Sequence, residues 1–415
     1  LTEASLSETR NGLGRGVVGL LALAIFINYV DRGNLATGAP LIKDELHLTN
    51  TQMGLLLSAF FWTYTPGQLV SGWLMEKINA YRMFALGLAI WSLATIATGF
   101  ATGFWALFVL RLVLGLGESA AFPCSSKLFA EHLPPTRLGA ANGWMAVGLA
   151  LGPAFGAFVG GLIMARFGWR PAFIVFGLVS VLWLAPWHIA TADASRGVSE
   201  APVRFLEMPS LTAILARREL WGASLGAFAG VYTLYFVTSW LPLYLVKARG
   251  FSLSQMAELG GCVYLIYAIS ARLTGWLSDR WMRAGAGDTR VRKTFLIASN
   301  LGGAACMLGC AFGGPAFSIG ALLLSGVFLG FYTTTVFATG QTLGGPVAAG
   351  RWIGVQNAIS NTAGIVAPIV TGFVVDRTGQ FALAFVVAAG VALAGVACWG
   401  LLVWRVTPIA WPKTA

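Results

Sequence analysis

The stretch GRGVVGLLALAIFINYVDRGNLATG, residues 14–38, decides the fold. It is apolar enough, and at roughly 20 residues or more long enough, to cross about 30 Å of hydrocarbon as a helix. Inside it stand Asp31 and Arg32, two ionisable groups where each costs about 2.5 to 3.5 kcal/mol on insertion scales. No small-residue cleavage site follows, so this run reads as a retained span and not as a signal peptide. Residues 1–13, beginning at Leu1 and not at Met, read as a polar tail of a chain whose numbering starts inside the encoded protein.

Comparable runs recur outward from this one. After 14–38 come 51–74, 82–103, 105–129, 138–166 and 171–190, then 218–246, 254–278, 293–313, 316–343, 350–375 and 380–405. The expectation is an all-α membrane protein of twelve transmembrane helices in two six-helix bundles, 14–190 and 218–405. Residues 191–217, with Pro202, Pro209, Arg196, Arg204 and Arg217, read as the linker between them, and 406–415 as a tail.

Composition agrees. The chain of 415 residues is 57% hydrophobic and 10% charged, against about 45–50% and about 25% in soluble domains. That excludes an ordinary soluble enzyme. The net charge of +11 lies in short loops between apolar runs, where it implies a bilayer partner and no nucleic acid. With the N-terminus inside, the inner loops and tails hold about eighteen Lys and Arg and the outer ones about six, which places both termini in the cytoplasm. The five cysteines fall in apolar runs without ligand spacing, so neither disulfide, metal nor other cofactor is expected.

The halves echo each other. Gly72-Trp73-Leu74-Met75-Glu76-Lys77 after the second run resembles Gly275-Trp276-Leu277-Ser278-Asp279-Arg280 after the eighth, as internal duplication predicts. A further copy, Gly372-Phe373-Val374-Val375-Asp376-Arg377, ends the eleventh. The acid at a helix C-terminus calls for a basic or helix-N-terminal partner, so the motif suits a latch between helices.

Here the chain resembles the major facilitator superfamily, whose loop after the second helix reads G-x-x-x-D-[RK]-x-G-x-[RK]-[RK]. In this sequence Glu76 replaces the Asp, Asn79 and Tyr81 replace the later Gly and first terminal basic residue, and Arg82 is kept. The gating residues implied are Gly72, Glu76, Lys77 and Arg82, with Gly275, Asp279 and Arg280 in the second half. Asn28-Tyr29-Val30-Asp31-Arg32 and Arg111-Leu112-Val113-Leu114-Gly115-Leu116-Gly117-Glu118 are similar to the anion/cation symporter family, which holds bacterial galactonate, glucarate and hexuronate transporters and is related to sialin and the vesicular glutamate transporters. The likeness continues through Gln52-Met53-Gly54, Ser58-Ala59-Phe60, Phe122-Pro123, Trp240-Leu241-Pro242-Leu243-Tyr244-Leu245 and Asn361-Thr362-Ala363-Gly364-Ile365-Val366-Ala367-Pro368. It implies a monomer in the bacterial cytoplasmic membrane, proton coupling at Asp31 and Glu118, and substrate contact at Arg32, Tyr29 and Tyr64.

The residues carry the same reading. Arg111 and Glu118, seven apart, lie on one helix face about 10.5 Å from each other along the axis. Asp31 and Arg32 project about 100° apart, so each meets a different neighbour. Asn28 and Tyr29 share the face of Arg32, whose planar fork suits a carboxylate. Arg111 is expected as the electrostatic partner of the acids. Tyr232 with Tyr235, and Asn357 with Asn361, pair on helix faces and line either a substrate wall or an interhelical contact. Arg272 is either a second anion anchor or a residue snorkelling toward the inner surface. Fixed salt bridges between the first and fourth spans are the plainer alternative for Asp31 and Glu118.

The function expected is proton-coupled uptake of an organic carboxylate by alternating access, with the choice among aldonate, uronate, aldarate, aromatic acid and dicarboxylate open. A proton-coupled exporter is the competitor, since Gly148-Leu149-Ala150-Leu151-Gly152-Pro153-Ala154-Phe155-Gly156 resembles an antiporter motif, but a buried Arg32 suits a cationic drug poorly. Catalysis is unsupported: His47, His132 and His188 are scattered, with no nucleophile and base together.

Overall fold

The computed structural model describes residues 15–74, 79–132, 135–192 and 209–411. These are helical, with no strand among the described residues. They divide into two compact units, one of Leu1–His47 with Ala59–Pro202 and one of Leu48–Ser58 with Val203–Ala415.

In the first unit, α1 (Arg15–Glu45) packs along α6 (Pro135–Phe155) and the π-helical turn Gly156–Gly160 that continues it. Helix α3 (Ala80–Thr98) packs on α4 (Phe104–Glu118) and on α8 (Trp169–Leu182). Helix α2 (Asn50–Leu74) contributes its later part, α5 (Ala121–His132) continues the fourth span, α7 (Gly161–Phe167) the fifth, and α9 (Leu184–Thr191) the sixth. The α6 glycines explain the closeness of α1: a Cβ on Gly148 would lie 2.5 Å from the Ala22 carbonyl, and one on Gly152 2.7 Å from the Phe26 carbonyl. Only glycine lets the backbones meet at that spacing.

In the second unit, α10 (Leu211–Leu215) precedes α11 (Arg218–Leu243), which packs on α14 (Pro315–Asn361), α15 (Ala363–Thr378) and α16 (Ala382–Ala397). Helices α12 (Leu253–Arg283) and α13 (Asp288–Phe312) both pack on α14, and α13 also packs on α16. Helix α14 holds two spans, divided at Gly345, whose φ of 64° is left-handed.

Eleven helices among the described residues are long and apolar enough to cross a membrane. The second run, Asn50–Leu74, is a continuous helix of 25 residues but falls outside that set, because Gln52, Thr63, Thr65 and Gln68 dilute its apolar character. Other differences from the expected organisation are local. The first helix continues past residue 38 through Pro40 to Glu45. The fourth span breaks at Ser119–Ala120. The expected linker contains the short helix α10, started by Ser210 whose Oγ accepts from Ala213 N. Part of the expected C-terminal tail is docked: Ile409 N donates to Leu343 O at 3.0 Å and Trp411 Nε1 to Gly344 O at 2.9 Å.

The largest departure concerns α2. Its first turns belong with the second unit and its remainder with the first. Gly54 and Gly372 let it lie directly on the α15 backbone, where a Cβ on either would collide with the carbonyl of Pro368 or of Asn50.

Candidate functional site

In the first unit the spacing of Asn28, Tyr29 and Arg32 puts all three on one α1 face, and the structure fills that face with charge and rings. Arg32 Nε and Nη2 donate to the same Glu118 oxygen, Oε2, at 3.1 and 3.0 Å. Nη2 also reaches Asn28 Oδ1 at 3.4 Å. The guanidinium carbon lies 4.6 Å from the Tyr29 ring centre and 4.5 Å from those of Phe60 and Tyr64. Phe60 and Tyr64, four apart on α2, are stacked at 4.8 Å. The guanidinium thus sits in an aromatic box and keeps 13% of its side-chain surface open, while Glu118 keeps none. Cation–π contacts hold its plane without consuming its N–H groups.

Glu118 Oε1 has no hydrogen-bond partner among the described residues. Neither do Nε and Nη1 of Arg111, which is 4% exposed. The Arg111 guanidinium stands 5.3 Å from the centre of the Phe60 ring that Arg32 also faces. Arg111 and Glu118 share a helix face but lie about two turns apart. Arg32, arriving from another helix, is the residue that reaches the acid.

Asp31 points elsewhere, as its 100° offset requires. It is 1% exposed, and its Oδ2 lies 2.9 Å from Ser180 Oγ on α8, which also lies 2.9 Å from the Phe176 carbonyl. One hydroxyl between a carboxyl and a carbonyl serves both protonation states. It donates to an ionised Asp31, and accepts from a protonated Asp31 while its own proton turns to Phe176.

The second unit holds the other predicted wall residues. Tyr235 Oη donates to Asn361 Oδ1 at 3.2 Å, and Asn361 Nδ2 to the Asn357 carbonyl at 2.9 Å. Tyr232 is 2% exposed and packs with Phe228. Arg272 is exposed on α12, on a face with exposed Leu265, Ile269 and Trp276. Of the residues expected to gate, Arg82 and Asp279 are exposed, Arg280 stacks 5.3 Å from the Trp276 ring centre, and Gly275 packs near Thr334. The backbone of Gly72 lies in α2, and Glu76 and Lys77 lie outside the described residues.

The copy of that motif in α15 has the clearest geometry. Asp376 Oδ1 accepts from Asn50 N and Nδ2 at 2.9 and 2.8 Å, and Oδ2 from Thr51 N and Oγ1, both at 2.6 Å. Thr49 Oγ1 accepts from Gln52 N, and Gln52 Oε1 from Thr49 N, so the free N–H groups opening α2 are met.

Sequence reasoning passed over Ser180, a hydroxyl in an apolar run with nothing to mark it. Phe60 had a signal, its four-residue spacing from Tyr64.

Comparison with known proteins bears on what this arrangement serves. The family model of the Major Facilitator Superfamily matches residues 21–359. The chain is 32% identical over 395 residues to the probable sulfoacetate transporter SauU of Cupriavidus necator, over 92% of this chain and 91% of that protein. It is 31% identical to the hexuronate transporter of Bacillus subtilis, over 91% and 92% of the two. A bacterial homologue of the human lysosomal transporter Spinster, solved inward-facing and occupied, shares the fold at a TM-score of 0.75 and 18% identity, over 93% of this chain and 96% of that one. These relatives are transporters and not enzymes, and a helical membrane fold with buried charges in its first and fourth spans accords with them. The chain belongs to the major facilitator superfamily and, within it, to the anion/cation symporter family.

Proposed function

We infer that this membrane transporter takes up an organic carboxylate or related anion together with protons, by alternating access, in a bacterial cytoplasmic membrane with both termini inside. The observation that carries this reading is the state of the two arginines. Arg32 is engaged by one Glu118 oxygen inside its aromatic box, while the buried Arg111 has Nε and Nη1 without acceptors among the described residues.

A buried guanidinium with two nitrogens unmet is a strong pull on an anion, because burial removes the water that would otherwise screen it. Arg111 attracts the substrate's acid group first. Protonation of Glu118 removes the charge that holds Arg32, and Arg32 then binds the anion as a planar fork. Loss of the anion returns Arg32 to Glu118 and expels the proton. Asp31, supported in both states by Ser180, carries the second exchangeable proton. Coupling follows because Arg32 always has a counter-charge, Glu118 in the substrate-free state and the anion once Glu118 is protonated.

The relatives named for sulfoacetate and hexuronate support an anionic substrate, since both are small organic acids. Tyr235, Asn357 and Asn361 are the candidate hydrogen-bonding groups for its polar remainder, and Arg272, being exposed, is the weaker candidate for a second acid group. The exporter reading loses its main support, since Gly148 and Gly152 are accounted for by the packing of α6 on α1.

Proteoliposome uptake of D-galactonate, D-glucuronate and sulfoacetate under an imposed pH gradient tests the reading. Asp31→Asn and Glu118→Gln are expected to lose concentrative uptake while keeping substrate counterflow. Undiminished concentrative uptake in both variants would remove the proton carriers.

A further inference from the structure

One buried polar group in the first unit takes no part in the scheme above. Asn34 is fully buried, and neither its Oδ1 nor its Nδ2 has a partner among the described residues. It follows Asp31 by three residues, one turn further along the same side of α1, and the Asp31 oxygen left free by Ser180, Oδ1, is likewise without a partner.

An amide in an apolar span with both ends unmet costs several kcal/mol, which natural membrane helices rarely tolerate without a partner. The neighbouring element explains what that partner is. Against Asn34 lies the π-helical turn Gly156–Gly160, and π turns occur mostly as single inserts at functional positions. At Gly160 a Cβ would sit 3.4 Å from Asn34 Oδ1 and 3.4 Å from the Phe176 ring, so the absent side chain keeps this part of the π turn from pressing on the amide. Asn34 Oδ1, Asn34 Nδ2 and Asp31 Oδ1 together supply the two to four polar partners that a buried water needs.

We propose that Asn34 is a positioning residue for the proton of Asp31: beside Gly160 it holds a buried water that hydrogen-bonds the free Oδ1 of Asp31 and delivers the proton to it. Asn34 does not titrate. It accepts one hydrogen from the water and donates to its oxygen, aiming the remaining hydrogen at Asp31. A hydronium ion arriving from the outer side gives one proton to this water as the water gives one to Asp31 Oδ1; the carboxylate becomes a carboxylic acid and the water is restored. The charged groups facing Asp31 are few. Glu118 of α4 acts on it electrostatically, Arg32 is its neighbour in α1, α8 presents Ser180 and Phe176, and the π turn offers Gly156, Ala157, Phe158, Val159 and Gly160, none of them titratable. Ser180 is taken up by Oδ2, and Asn34, one turn along α1, is the polar group proposed to serve the oxygen that Ser180 leaves free.

This inference rests on Asp31 being a proton carrier, and the experiment separates the two. Infrared difference spectra of the purified transporter between acidic and neutral pH should show a carboxylic C=O band that disappears in Asp31→Asn, and a water O–H band that shifts in H2 18O. Asn34→Leu and Gly160→Ala are expected to abolish the water band and shift the carboxyl band, and Asn34→Ser to restore both in part. In proteoliposomes the same two variants should lose about tenfold in uptake driven by the pH gradient, roughly the worth of one positioned hydrogen bond, with counterflow little changed. Gly160→Ala, whose methyl the packing accepts, stands in should Asn34→Leu fail to fold. A carboxyl band unaltered by Asp31→Asn would sink the proton-carrier reading. A band lost in Asp31→Asn, with the water band intact in Asn34→Leu and Gly160→Ala, would overturn this inference alone.

Discussion

Glu118 of the first unit and Asp376 of the second are both carboxylates met by residues far away in sequence, yet they use their oxygens in opposite ways. Asp376 is exposed, and each of its oxygens accepts two hydrogen bonds from the first turn of α2. Glu118 is buried and takes both bonds from Arg32 on one oxygen, leaving the other without a partner among the described residues. Asp31 repeats the pattern, with one oxygen on Ser180 and one bare. A carboxylate whose acceptors are all met gains nothing from a proton, and it serves as a fastener. One left half-met inside a span gains from a proton, a water or a rearranged cation, and that is what a coupling site needs.

The contrast can be broken most forcefully at Arg32. Arg32→Ala leaves Glu118 buried beside no hydrogen-bonding cation, with an expected loss of about 3–5 kcal/mol in unfolding free energy. The loss should shrink as pH falls, because protonation removes the stranded charge. Adding Glu118→Gln should recover most of it at neutral pH; an equal loss in the double variant would mean that Arg32 stabilises through its rings alone.

Arg111→Leu should behave in the reverse sense. Removing a buried cation whose Nε and Nη1 have no acceptor among the described residues leaves the thermal midpoint unchanged or raised, while uptake of the best substrate falls about tenfold or more, as for loss of a charge-assisted contact. A variant that unfolds at markedly lower temperature would place Arg111 with the fasteners.

Asp376→Ala removes a helix cap and should cost about 1 kcal/mol, read as a lower melting midpoint with the pH dependence of uptake unaltered. A changed pH dependence would join Asp376 to the proposed coupling residues. Smallest of all, Tyr235→Phe should cost under about 1 kcal/mol, because Asn361 is only half-buried and its oxygen can turn to water. A substrate-dependent rise in KM without a stability change would mark Tyr235 as a wall residue.

Much of this was legible before any coordinates. Apolar runs of membrane length announce helices by themselves, since the bilayer compels every backbone group to bond within its own segment. The charges in the first and fourth spans mark a candidate site, since an ionised group in hydrocarbon is costly to retain without use. The offset of Asp31 from Arg32 followed from the helical repeat, and the structure gives them the different neighbours Ser180 and Glu118. The second helix was delimited as 51–74 and runs from Asn50 to Leu74, but no periodicity reveals that its first turns associate with a different unit from its remainder.

By itself, then, the sequence determined a helical membrane protein, two halves, and which residues are too expensive to be idle. Tertiary structure alone decided their partners: Glu118 with Arg32 across two helices instead of Arg111 along one, Asp376 with a helix start 325 residues away, Asn34 beside a π turn. The division has a physical cause. Burial and helix formation depend on local composition, which a sequence displays, whereas a hydrogen bond depends on two groups coming within about 3 Å, which helix packing settles.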